Sequence, residues 1–327
     1  MSHKWPSRAV SILAPATADV DRFCDFIRNV FAKDGIDTMV LLVRYRFAFN
    51  SHPECRDKDP LSQEDVDKIV AVCKECGIHL IPKMNMLGHQ SGPAGKEPEG
   101  LLVRYPQFDE NKGAPISYRR TLCCSEPEAH RMLLDLADEM IEAFGADTFH
   151  IGCDEVFEIG KCDKCRNTPT YLLYANWVND IVDHLQAKGI KVWMWGDRFL
   201  NAEETGYGEW EASANGTEKA LSLLRKGLVI CDWHYEDCEK YDSPAIFAKA
   251  GFPVYLGFRS ERASTKKFTD YADAHDEGNI LGLMQTIWIP TEVFMNCYEG
   301  KPFERTAKNT EKTELIVDNY RYLFEEN

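Results

Sequence analysis

Asp154 and Glu155 stand side by side at the end of a segment that reads DTFHIGCDE from Asp147. Burial and like charge raise the pKa of at least one member of such a pair, which is what a general acid near neutral pH requires. The same dipeptide also caps ordinary helices, so its surroundings must decide. Trp193, Trp195 and Asp197 recur at alternate positions, as do Trp233, Tyr235 and Asp237, and Trp288 closes a later apolar run. Alternate residues share one face of a strand. Aromatic faces pack on the apolar faces of pyranose rings, while a Tyr hydroxyl and Asp oxygens bond a sugar's polar rim. The deeper Trp193 and Trp233 read equally well as core.

Cysteines form a second pattern. Cys73 and Cys76, at a helix end, read as buried thiols. Cys162 and Cys165 fall in the loop after the acidic pair, and Cys123 and Cys124 close the loop before it. Neighbouring loops adjoin in a barrel, so Cys124, Cys162 and Cys165 are candidate ligands of a structural zinc. A fourth ligand is not evident.

These residues need a frame to converge. Short runs rich in β-branched and aromatic residues alternate with helical patterns, which is the signature of repeated βα units. Strands are predicted at 8–14, 38–46, 78–85, 147–153, 190–196, 228–234, 253–259 and 280–288. Helices are predicted near 19–33, 62–76, 127–145, 170–188, 216–226, 243–250, 265–277 and 304–325. Eight strands each followed by a helix imply an α/β fold, a closed (β/α)8 TIM barrel in one domain spanning 1–327. Barrel sites lie in the loops at the carboxyl ends of the strands. The longest such loop, 85–126, is of a length that usually covers a site.

Composition narrows the partners. The 327 residues, 44% hydrophobic and 28% charged, can bury a full core, and a net charge of -15 repels nucleic acid and anionic membranes. No basic region followed by an apolar run precedes Trp5, and no stretch of about 18 apolar residues occurs. A cytoplasmic protein acting on a small ligand is expected, with its oligomeric state, a homo-oligomer included, left open.

Against this frame the chain resembles glycoside hydrolase family 20, the β-N-acetylhexosaminidases, and most of all the hexosaminidase D-like branch that lacks an extra N-terminal domain. HIGCDE at 150–155 matches the family's H-x-G-x-D-E motif, with His150 at its head, and IPKMNMLGHQ at 81–90 resembles a strand segment ending in a sugar-binding histidine, here His89. Arg8 stands where the family carries an arginine for sugar hydroxyls. Tyr235 with Asp237 resembles its Tyr-x-Asp pair, and MWGDRF at 194–199 with Trp288 its tryptophan pocket. Two places depart from the pattern. WIPTE leaves Glu292 as the outer carboxylate, and strand 2 ends with Arg44, Tyr45 and Arg46 where acidic or histidine residues are usual.

The resemblance implies removal of terminal β-linked N-acetylhexosamine from a glycoside or oligosaccharide by a retaining, substrate-assisted route. Glu155 would be the general acid. Asp154 would hold the acetamide N–H, and Tyr235 would donate to the acetamide oxygen. No cofactor is required. Two other readings of the residues stay open: a metal-dependent isomerase or lyase using Glu155, Asp197 and His234 or Asp237, and a sugar-binding barrel without turnover.

Overall fold

The computed structural model describes residues 4–91, 97–114, 120–304 and 312–325. Eight parallel strands close on themselves in sequence order: β1 (Ser7–Leu13), β2 (Thr38–Leu42), β3 (His79–Lys83), β4 (Thr148–His150), β5 (Lys191–Trp195), β6 (Leu228–Trp233), β7 (Val254–Phe258) and β8 (Ile280–Ile287). All eight fall where the apolar runs predict them. The register carries side-chain alternation round the barrel. Ala9, Val40, Ile81, Trp193, Trp195, Cys231, Trp233, Tyr255 and Met284 fill the interior, while Val10, Leu41, Phe149, Met194 and Ile230 face the helical layer. Two cores thus arise from one period-2 pattern read on both faces.

The surrounding helices follow local signals. Ser62 caps the helix Gln63–Glu75 with a reciprocal bond to Asp65. Pro127 opens and left-handed Gly145 closes the helix Pro127–Phe144. The first helix, Val20–Phe26, widens into a π turn to Phe31, and the segment predicted as a helix at 216–226 is a 3-10 turn, Thr217–Leu223. An additional helix, Thr291–Tyr298, follows β8 and carries Glu292, and the last helix is Thr313–Phe324. Part of the helix predicted near 304–325 lies outside the described residues. Among the described residues no helix is long and apolar enough to cross a membrane.

β4 departs from its predicted span. It ends at His150 rather than at 153, because Gly152, Cys153 and Glu155 all adopt positive φ, of 69°, 65° and 50°. Ladder-like bonds persist beyond it, from Ile151 N–H to the Trp193 carbonyl and from Trp195 N–H to the Gly152 carbonyl. The chain stays in the wall but loses regular alternation. Asp154 therefore reaches the mouth through a left-handed turn.

Candidate active site

The carboxyl-end mouth is built chiefly by the loops after β3 and β4. The β3 loop crosses the β4 turn so closely that a Cβ on Gly88 would stand 2.6 Å from the Asp154 carbonyl oxygen, and one on Gly152 2.8 Å from Asn85 Oδ1. Only glycine permits both approaches. Gln90 braces the β3 loop by donating to the Asn85 and Gly88 carbonyls and accepting from the Tyr45 hydroxyl. Trp177 Nε1 donates to the Met86 carbonyl and the Tyr174 hydroxyl to the Cys153 carbonyl. Packing on the helix Thr170–Ala187 thereby fixes both loops.

Held this way, His89 Nε2 lies 3.0 Å from Asp154 Oδ2 and 3.5 Å from Glu155 Oε2. His89 itself has a φ of 54°. Left-handed non-glycine residues cost roughly 1–3 kcal/mol each and gather where a site needs them. Arg44, His89, Cys153 and Glu155 are the ones among the described residues, all on the loops after β2, β3 and β4. Burial opposes the charge on Asp154, but His89 and Lys83 outweigh it and hold the carboxyl well below the usual carboxylate range. Burial likewise opposes the charge on His89, and Asp154 and Glu155 reverse the balance and raise its pKa. Each side chain thus favours the charged form of the other, and the two are only 11% and 15% exposed.

Lys83 is the cation that sequence reasoning missed. It ends β3 on the interior face, two residues after Ile81, and is 1% exposed. Its Nζ lies 4.6 Å from the Trp195 ring centroid and 4.9 Å from that of Trp288. Burial pushes its pKa down to about 8, with Asp154 acting in the opposite direction. The signal was available: His79, Ile81 and Lys83 share a strand face, and a lysine at the interior end of that face needs a partner. Arg44 and Arg259 also approach the mouth. Arg44 pairs with Glu99 at 2.6 Å and donates to the His89 carbonyl, and the Arg259 guanidinium sits 5.8 Å from the Tyr235 ring.

Tyr235 and Trp288 meet across the opposite wall. Trp288 Nε1 donates to the Tyr235 hydroxyl at 2.8 Å, and Thr286 Oγ1 lies 2.9 Å from the same oxygen. Burial raises the Tyr235 pKa, so the phenol keeps its proton. Glu211 accepts from the backbone N–H groups of Tyr235 and Glu236 and holds the segment that carries the phenol. His150 is buried below the mouth, its ring 4.7 Å from that of Trp195. Burial, with Lys83 adding to it, drives the His150 pKa well down, and Nδ1 of the neutral ring accepts from the Gly152 N–H.

The expectations for Arg8, Asp237 and Trp195 are corrected. Arg8 is the second residue of β1, at the amino end of the barrel, and donates to the Asp34 and Phe324 carbonyls. It lines a hollow of about 200 Å³ with Trp5 and Leu283 on the face opposite the acidic pair. Asp237 is exposed and pairs with Lys267 at 2.8 Å, because the chain has left β6 and turned outward. Trp195, 1% exposed, is the floor beneath Trp288 rather than an open platform. Glu292 is half-buried in the first turn of its helix, beyond Trp288.

The residues of the metal-dependent reading do not converge. His234 faces away from the barrel interior, since Trp233 and Tyr235 face in, and it is buried between Glu211, Ser243 and Asp232. Asp197 accepts from Arg198 Nε and from the Glu155 N–H. Cys124 is corrected as well. It lies in a turn, and its neighbour Cys123 is the one whose sulfur stands beside those of Cys162 and Cys165.

Comparison with known proteins agrees with this fold. Residues 44–313 match the family model described as glycosyl hydrolase family 20, catalytic domain. A beta-hexosaminidase of Emericella nidulans is 22% identical over 215 residues, covering 55% of this chain and 34% of that protein. A lacto-N-biosidase of Bifidobacterium bifidum is 25% identical over 154 residues, or 43% of this chain and 13% of that one. The chain thus matches 34% or less of these relatives' length. Among solved structures, a chitobiase of Flavobacterium johnsoniae superposes with a TM-score of 0.66 at 20% identity, covering 99% of this chain and 52% of that one. An exo beta-N-acetylglucosaminidase of Vibrio harveyi, solved with N-acetylglucosamine, gives 0.63 at 16%, covering 99% and 58%. With its barrel, its acidic pair and a family match over most of its length, the chain belongs to glycosyl hydrolase family 20.

Proposed function

We propose that the chain hydrolyses glycosides ending in a β-linked N-acetylhexosamine, with retention and with the substrate's own acetamide as nucleophile. One observation carries the reading. Two adjacent carboxylates share the mouth, and His89 and Lys83 keep Asp154 ionised. An anion held at that place suits the positive charge that develops on the acetamide nitrogen as its carbonyl attacks the anomeric carbon. Glu155 protonates the glycosidic oxygen as the leaving group departs, then takes the proton of the incoming water. Tyr235 donates to the acetamide oxygen, and Trp288, half-buried beside it, offers a face to the sugar ring.

The names of similar proteins, which include hexosaminidases, support the substrate class. Two assays test it. A panel of chromogenic β-glycosides should be turned over when it carries the 2-acetamido group and very poorly when that group is a hydroxyl. A thiazoline that mimics the cyclic intermediate should bind far more tightly than free N-acetylhexosamine. Turnover of the plain β-glucoside at a comparable rate, or indifference to the thiazoline, would defeat the proposal.

A further inference from the structure

The geometry points to a second site in this chain, a structural zinc site made by Cys123, Cys162, Cys165 and the carboxylate of Glu110. Donor atoms of these four residues all lie within 4.8 Å of one another. Cys123 Sγ is 3.4 Å from Cys162 Sγ and 3.5 Å from Cys165 Sγ. A tetrahedral zinc with bonds of about 2.3 Å to sulfur sets its sulfurs about 3.8 Å apart. Both Cys123 separations are therefore within a few tenths of an ångström of that spacing.

The carboxylate is already oriented for a ligand. Glu110 is 1% exposed, and its Oε1 accepts from the backbone N–H groups of Lys161 and Cys162 at 2.6 and 3.1 Å. Its Oε2 is buried and accepts from no N–H or O–H group among the described residues, with the Cys123 thiol beside the carboxylate. Metal-binding carboxylates are typically held in this way, by donors on one oxygen. The Cys162–Cys165 pair forms a tight turn, with the Cys165 and Arg166 N–H groups donating to the Cys162 carbonyl. Three thiolates and a carboxylate would leave a net negative centre. Zinc would displace three thiol protons to solvent.

A disulfide explains less of this arrangement. Cys123 is nearly equidistant from two sulfurs, so any one bond would strand the third thiol and leave the buried carboxylate oxygen without a role. The ion would join two segments that matter to the mouth. Glu110 and Cys123 flank the Asp109 to Leu122 bridge that closes the loop after β3, and Cys162–Cys165 ends the loop that starts at Asp154. This inference does not depend on the glycosidase reading.

Elemental analysis of the full chain, expressed in zinc-supplemented medium and desalted, should find about one zinc per chain. Cys162→Ser and Cys165→Ser should each lose it, Cys124→Ser should keep it, and chelation of the wild type should lower its Tm by at least a few degrees. Should the serine variants fail to fold, replacement of the wild-type metal by Co(II) should produce thiolate-to-cobalt charge-transfer absorption. Folded wild type that is metal-free and gains no Tm from added zinc would overturn the proposal. So would a Cys123 disulfide detected by intact mass, or bound cobalt without thiolate absorption.

Discussion

The Glu155 backbone N–H donates to Asp197 Oδ2 at 2.9 Å, and the same oxygen accepts from Arg198 Nε at 2.6 Å. Asp197 therefore holds the left-handed Glu155 in place while neutralising an arginine whose side chain is fully buried. Removing one member of such a buried pair costs about 3–5 kcal/mol, because the other charge is left behind. Asp197→Asn should lower the unfolding free energy by that order in urea and reduce kcat more than it raises KM. Wild-type stability together with wild-type kcat would show that this contact does not position the acid.

Glu155→Gln tests the acid itself. Loss of general acid catalysis costs about 10²–10⁴-fold where the leaving group needs a proton. The variant should lose that much on alkyl and sugar aglycones while largely sparing a dinitrophenyl aglycone, which departs unaided. Equal losses on both classes would remove Glu155 from this role.

The His89 and Asp154 pair makes a prediction about pH. Asp154 is held below its unfolded pKa of about 3.9, so its contribution is complete above that pH and fades as pH falls towards the folded value. His89 is raised above its unfolded pKa of about 6.5, so its contribution is complete below that pH and is lost as pH rises through the folded value. The stability advantage of wild type over His89→Asn should thus be largest between about pH 4 and 6.5 and shrink on either side. Chemical denaturation across pH checks this, and a constant difference would show that the two residues do not titrate as a pair.

Much of this arrangement was legible in the amino-acid order. Period-2 runs between helical stretches located eight strands, and H-x-G-x-D-E brought attention to the turn that carries Asp154 and Glu155. What failed had physical causes. Arg8 was matched by its position in strand 1, but strand polarity places the second residue of β1 at the wrong mouth. Asp237 was placed by extending β6 alternation beyond the strand end at Trp233. Cys123 and Cys124 are adjacent and alike in sequence, and only the folded turn sets which sulfur lies beside those of Cys162 and Cys165. Lys83 ends an otherwise apolar strand, and alternation from Ile81 puts it on the interior face.

The central claim is that the substrate supplies the nucleophile while Asp154 stabilises the charge that results. Its most direct test is kcat/KM for one chromogenic N-acyl-β-glucosaminide whose acyl methyl bears zero, one, two or three fluorines. Each fluorine weakens the carbonyl oxygen as a nucleophile and leaves the aglycone unchanged. The account predicts a fall of about tenfold or more per fluorine, a barrier increase of about 1.4 kcal/mol per step. A flat series would contradict it, because a nucleophile belonging to the protein would be indifferent to the acyl group.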